Sequence, residues 1–208
     1  MNRSSFVAKI VDLTLPIENG MPFYPGDPKP EVTQYKWIAR DGVNIKVLHI
    51  GTHSGTHIDA PAHFIDGANT IDKLDVLAVS GKAVTLKAKV ENGVVKSLEG
   101  LSKKAEILLV YTGANRRWGS NWSPSDIVTL SLEVCRAICS LGFKAVGIDS
   151  PSVGNSAIHK EIFNSGALII ENISDELRNL VNKVFEFHCY PILIKDGDGA
   201  PARAFAIL

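Results

Sequence analysis

Between positions 53 and 64 the chain reads His-Ser-Gly-Thr-His-Ile-Asp-Ala-Pro-Ala-His-Phe. His53, His57, Asp59 and His63 fall in this short stretch, in a protein with only six histidines. Imidazole and carboxylate are the donors that zinc and manganese accept. A helix would bring His53 and His57 to one face, but Ser54, Gly55, Thr56 and Pro61 disfavour one. A strand end turning at Ser54-Gly55 fits better. Beyond that turn His57 and Asp59 stand two apart, so on an extended segment they point the same way. A catalytic metal needs about three protein ligands and an open position for water. His53, His57 and Asp59 supply that number.

The pattern His-x-Gly-Thr-His-x-Asp-x-Pro-x-His-Phe resembles the signature of the metal-dependent cyclase family, which includes bacterial kynurenine formamidases and isatin hydrolases. Every fixed position of it is present. Shorter echoes stand at Tyr24-Pro25-Gly26-Asp27, Gly147-Ile148-Asp149-Ser150-Pro151-Ser152 and Asp198-Gly199-Ala200-Pro201-Ala202-Arg203, so the resemblance covers nearly the whole chain. Carried over position by position, it implies that His53 and His57 hold one metal and His159 a second, with Asp59 and Glu171 bridging. The implied cofactor is a pair of zinc or manganese ions per subunit. The resemblance also implies a homodimer or higher homo-oligomer acting on a small-molecule substrate.

The residues say part of this by themselves. His159 and Glu171 are separated by a short helical stretch, a break at Gly166 and a returning strand, so both can face one cavity. Glu171 alone, after Ala167-Leu168-Ile169-Ile170, reads equally well as an ordinary strand-end charge. A metal pair sharing carboxylates and a water acidifies that water and polarises a carbonyl. Amide cleavage then requires a proton for the departing nitrogen. His63, four residues beyond Asp59, is close enough to carry it, and the resemblance implies that acid–base role; a further ligand is the alternative. The expected reaction is attack of metal-activated water on a small amide, an aryl-formamide such as N-formylkynurenine. Hydrolysis of a cyclic amide or ester is the second expectation, and a metal-binding protein without turnover the third. Tyr24 stands where formamidases of the family tend to carry Trp, so it is the expected substrate-contacting aromatic, with a smaller ring and a hydroxyl.

Composition sets the frame. The 208 residues suit one domain, 1–208, able to bury a substantial core. Twenty-two basic and 22 acidic residues cancel, which argues against a nucleic-acid footprint. No apolar run reaches the ~20 residues of a membrane span. Met1-Asn2-Arg3-Ser4-Ser5 lacks a signal-peptide core, and three cysteines form no disulfide framework. A cytoplasmic protein is expected. There is no glycine-rich phosphate loop that would call for a nucleotide. Cys135 and Cys139 lie four apart on an apolar helical stripe and read as small core hydrophobes rather than a metal pair.

The elements that must hold these residues follow from periodicity. Strands are expected over 9–15, 44–50, 83–88, 107–111, 144–149, 167–171, 185–194 and 203–208. Helices are expected near 71–77, over 131–141 with Ser131 as N-cap, over 158–164, and from a Ser174 cap through Leu177, Leu180, Val181 and Val184. The segment 112–125 reads as a long loop, and Lys195 to Gly199 as a tight turn. His49, between Leu48 and Ile50, reads as a hydrogen-bonded core histidine or a support for a ligand. Strands and helices are interspersed in an α/β chain, and the resemblance implies a swivelling β/β/α domain with a barrel-like mixed sheet and flanking helices.

Overall fold

A computed structural model describes residues 8–119 and 121–208; Met1–Ser5, read above for a signal core, lies outside them. In chain order the strands are β1 (Ile10–Asp12), β2 (Glu31–Lys36), β3 (Ile45–His49), β4 (His57–Asp59), β5 (Ser80–Glu91) and β6 (Val94–Leu98). Then come β7 (Ile107–Tyr111), β8 (Thr129–Leu130), β9 (Ala145–Ile148), β10 (Leu168–Glu171), β11 (Val184–Pro191) and β12 (Gly199–Ile207). The α-helices are α1 (Ile38–Asp41), α2 (Leu132–Ser140) and α3 (Ser156–Asn164).

Strands β12, β4, β10, β9, β7, β5 and β11 pair in that order, and β11 closes back onto β12. The result is a closed mixed barrel, parallel through β10, β9, β7 and β5 and antiparallel elsewhere in the ring. Strand β7 shows why this sequence closes. Its five residues are all apolar or aromatic and all buried, as expected for a strand with parallel neighbours on both sides. Side chains alternate between faces. Ile107, Leu109 and Tyr111 enter the barrel interior with Phe187 and Ile170. Leu108 and Val110 meet Ile138 of α2 and Ile162 of α3 outside it. Alanines 200, 202, 204 and 206 on alternate positions of β12 leave interior room for the larger side chains. At Gly147 of β9 a Cβ would come within 2.6 Å of Leu109 Cδ2 and 2.7 Å of Ile173 Cδ1, so the packing demands glycine.

Helix α2 starts as read, with the Ser131 hydroxyl accepting the Val134 N–H. Cys135 within it is fully buried, its thiol aimed at the Ile158 carbonyl. Four expectations need correction. Residues 71–77 form two 3₁₀ turns, Ile71–Lys73 and Val76–Val79, rather than one helix. After Ser174 the chain makes a 3₁₀ segment, Asp175–Leu180, because the Leu177–Leu180 spacing suits that geometry as well. Val181 then bridges to Thr85 and Val184 opens β11, so sheet pairing ends the helical turn. The last strand begins at Gly199 rather than Arg203, since β4 offers it an edge to pair with. His49 is exposed: among the described residues β3 pairs with β2 alone, in a separate two-stranded sheet. Strand β2 itself gave no sequence signal. The 112–125 loop carries 3₁₀ turns at Ala114–Arg117 and Pro124–Asp126; its Ser120 lies outside the described residues. Among the described residues no helix is long and apolar enough to cross a membrane.

Candidate metal centre

Register does most of the assembly. Strand β4 lies between β12 and β10, with His57 opposite Glu171 and Asp59 opposite Gly199 and Ile169. Directly paired side chains on one face are neighbours, so His57, Asp59 and Glu171 share a face while Ile58 points into the core. Gly55, at φ 64°, turns the chain from the His53 loop into β4. The preceding loop is tied down by Thr56, whose hydroxyl accepts the Leu15 N–H and donates to the Asn172 carbonyl. Helix α3, capped by the Asn155 side chain, delivers His159 from the other side.

The resulting distances are short. Asp59 Oδ1 lies 2.8 Å from His53 Nδ1 and 3.2 Å from His57 Nε2, while its Oδ2 lies 3.4 Å from His159 Nε2. Glu171 divides likewise, with Oε2 at 3.3 Å from His57 Nε2 and Oε1 at 3.3 Å from His159 Nε2. Each carboxylate thus faces two histidine groups with different oxygens. His57, Asp59, His159 and Glu171 are all buried, each no more than 4% exposed.

Two observations test whether these residues suit a metal. His57 Nε2 and Asp59 Oδ2 are buried polar atoms without a hydrogen-bond partner, a costly arrangement unless a cation completes them. The remaining imidazole nitrogens are already committed. His57 Nδ1–H donates to the Gly55 carbonyl at 2.8 Å and His159 Nδ1–H to the Asn155 carbonyl at 3.0 Å, leaving Nε2 of each as a lone pair facing the carboxylates. Among the described residues three groups of donors are compact enough for one ion: His53–His57–Asp59 and Asp59–His159–Glu171, which share Asp59, and the less buried His53–His63–Asp198. The residues fit.

Electrostatics agree with that reading. Burial disfavours charge on His57, but the Asp59 and Glu171 carboxylates outweigh it and raise the imidazole to about 10. The same balance raises His159 to about 10, and Asp59 with Asp198 raises His53 to about 9. Burial likewise opposes ionisation of Asp59, and the surrounding histidines hold it well below the usual carboxylate range. The cluster demands positive charge, and a divalent ion supplies it by displacing protons.

A cavity of about 330 Å³ opens onto this centre, with His53, His63, His159 and Glu171 at its floor and Tyr24 and Phe64 on its walls. His63 ends a 3₁₀ turn, Pro61–His63, and stacks on His53 at 3.9 Å between ring centroids. Burial, then the positive neighbour His53, lower its pKa, which favours the neutral imidazole that can accept a proton. Tyr24 is 44% exposed at the cavity wall. A larger cavity of about 630 Å³ lies elsewhere, against Leu15, Pro16 and Ile192, and contains none of the histidines or carboxylates of the centre. Size is therefore a poor guide here; the chemistry lies in the smaller one.

All seven residues singled out from the sequence meet at this place: the five proposed ligands, His63, and Tyr24 at the wall. One participant was missed. Asp198, read as part of a tight turn, sits 3.0 Å from His53 Nε2 and 3.3 Å from His63 Nδ1. Its only sequence signal is the Asp-Gly-Ala-Pro-Ala-Arg echo of the family.

A family model described as putative cyclase matches residues 11–155. The chain belongs to this cyclase family. An uncharacterized protein of Methanocaldococcus jannaschii is 34% identical, with 96% of this chain and 100% of that protein covered. A kynurenine formamidase of Bacillus mycoides is 29% identical over 93% of this chain and 95% of its own length. The fold is shared with isatin hydrolase A from Labrenzia aggregata, at a TM-score of 0.81 and 18% identity, covering 97% of this chain and 94% of that one. This member of the cyclase family therefore matches its relatives over nearly their full length.

Proposed function

We propose that the protein is a metal-dependent hydrolase that cleaves a small amide, an aryl-formamide being the leading substrate class. The observation that carries this reading is the pair of carboxylates, Asp59 and Glu171, each turned toward histidines on both sides at the floor of an aromatic-walled cavity. The kynurenine formamidase relatives support it. A bound pair of zinc or manganese ions supplies Lewis acidity, lowering the pKa of water and polarising a carbonyl. The chain's own groups do the rest. His53, His57, His159, Asp59 and Glu171 would hold the metal. Tyr24 and Phe64 would flank an aryl group, and Phe64 also packs on the His159 ring at 4.2 Å. His63 accepts a proton from the attacking water and returns it to the departing nitrogen.

Tyr24 favours a second reading. A phenol where formamidases of the family tend to carry an indole suits a compact bicyclic substrate, so hydrolysis of a cyclic amide or ester is the alternative. Rates of the zinc- or manganese-loaded protein on aryl-formamides, isatin-like lactams and lactones decide between them. A preference of at least tenfold for lactams would reverse the order, and no turnover of any would leave metal binding without catalysis. The same reading includes a homodimer or higher homo-oligomer. Supporting it, the β2–β3 hairpin and its connecting turn expose the large apolar side chains Tyr35, Trp37, Ile38, Val47 and Leu48 over the two faces of a small sheet.

A further inference from the structure

The three histidines nearest the two carboxylates are not held alike. His57 and His159 are each anchored by a neutral backbone carbonyl, whereas His53 is anchored by a charge. Its Nε2 meets Asp198 Oδ2 at 3.0 Å, and its Nδ1 faces Asp59 Oδ1 at 2.8 Å. The same Asp198 oxygen lies 3.3 Å from His63 Nδ1. Its other oxygen accepts the Thr52 hydroxyl at 2.9 Å, which fixes the carboxylate's rotation.

This placement is built into the backbone. The Ala60 N–H donates to the Asp198 carbonyl at 2.9 Å, and the Ile71 N–H to the Gly197 carbonyl at 2.8 Å, pinning the segment beside β4. At Gly199 a Cβ would lie 2.7 Å from His53 Cε1 and 2.8 Å from the Ile58 carbonyl. Only a glycine lets the His53 ring lie flat against the strand, within reach of Asp198.

We propose that Asp198 is a positioning residue that couples a metal ligand to the proton carrier, one carboxylate oxygen accepting the Nε2–H of His53 and facing Nδ1 of His63 as its electrostatic partner. Two consequences follow. His53 is fixed as the tautomer whose Nδ1 carries the lone pair, so it serves the metal through Nδ1 where His57 and His159 use Nε2. His63 is held with Nδ1 beside the Asp198 carboxylate and its ring stacked on His53, an arrangement that favours a proton on Nδ1 and leaves Nε2 as the accepting atom. The role given to His63 rests on the hydrolase reading; the role given to His53 requires only that the centre binds metal.

The first test needs no variant. In zinc-loaded, ¹⁵N-labelled protein, long-range proton–nitrogen spectra should show His53 protonated at Nε2 and zinc-shifted at Nδ1. Zinc on Nε2 of His53 overturns the proposal. Asp198→Asn should lower zinc affinity, read by competition with a chromophoric chelator, by about 10–100-fold, the usual effect of losing such a support. At zinc saturation it should also lower the amide-to-ester rate ratio, because a loosened His63 fails first on leaving groups that need a proton. Thr52→Val, which removes only the third contact, should reduce both by less. Unchanged zinc affinity in Asp198→Asn, or lost affinity with an unchanged rate ratio, overturns the coupling. His63→Ala separates the two ideas: an unaltered ratio in that variant defeats the acid–base reading, while the spectrum and the zinc affinity still judge Asp198 on His53.

Discussion

The β4 wall and the β2–β3 hairpin are joined by a few residues of chain, yet they break the usual rules of burial in opposite directions. Strand β4 buries His57 and Asp59 almost completely, where charged and polar groups are rarely found unless paired. The hairpin exposes every residue of β3, including Val47 and Leu48, where large apolar side chains are costly. Local violations of this kind concentrate at functional sites. The difference teaches what each surface lacks. The wall lacks positive charge, which a metal ion would provide. The hairpin lacks apolar cover, since two strands alone are marginal in water, and the homo-oligomer proposed above would provide it. Asp149 is the useful control: as buried as Asp59, it is satisfied by the chain alone, accepting the Thr112 N–H and hydroxyl and the Gly113 N–H.

The most severe way to break the comparison is to remove the ion. Chelation should abolish turnover and lower the melting temperature, by ~4 kcal/mol of stability if the ion is present at a thousand times its dissociation constant. Stripped protein that retains both would remove the metal from the argument; atomic absorption beside calorimetry measures this. Next in size, His63→Ala should keep its metal yet lose roughly 10²–10⁴ in kcat on amides. Activated esters should be partly spared, and loss of metal together with both rates would instead make His63 a ligand.

Asp149 sharpens the contrast through pH. Burial pushes its carboxyl up to about 7, the three donated hydrogen bonds only partly opposing this. In the unfolded chain the proton leaves near 3.8, whereas the folded chain keeps it to about 7. Stability from this group is therefore complete below pH 3.8, falls as pH rises through that window and levels off above about 7. Asp149→Asn should flatten this slope, a change on the order of a few kcal/mol across the window; an unaltered slope in denaturant titrations would show that the buried carboxyl is ionised throughout.

Smaller effects follow at the hairpin and the cavity wall. Trp37→Glu combined with Leu48→Glu should leave the barrel folded and shift light scattering toward monomer, with loss of about 2 kcal/mol or more of association. Monomeric parent protein at micromolar concentration would end the assembly proposal. Tyr24→Ala should raise KM for aromatic substrates by about tenfold with kcat little changed, the signature of lost uniform binding. Equal KM values for parent and variant would take Tyr24 out of the site.

How much of this could be read from the chain depends on distance along it. His53, His57, Asp59 and His63 were legible as candidates from their types and density, and the two-residue strand period puts His57 and Asp59 on one face. Strand β7 was legible from its apolar run, and α2 from its cap and spacing. His159 and Glu171 needed the family resemblance, because only the pairing of β10 with β4 sets Glu171 opposite His57. Asp198 was marked only by the Asp-Gly-Ala-Pro-Ala-Arg echo: a Lys-Asp-Gly-Asp-Gly stretch is a turn by local criteria, and its place beside His53 appears only when β12 pairs with β4. His49 failed for the related reason that alternation shows a strand but not which sheet receives it. The sequence by itself determined the ligand types, their local spacing and the strands that carry them, since these follow from short-range backbone geometry. Which nitrogen of each histidine faces the centre, which carboxylate supports His53, and which apolar surface stays uncovered were decided only by the tertiary structure, because hydrogen-bond partners and burial are set by chain segments far apart in sequence.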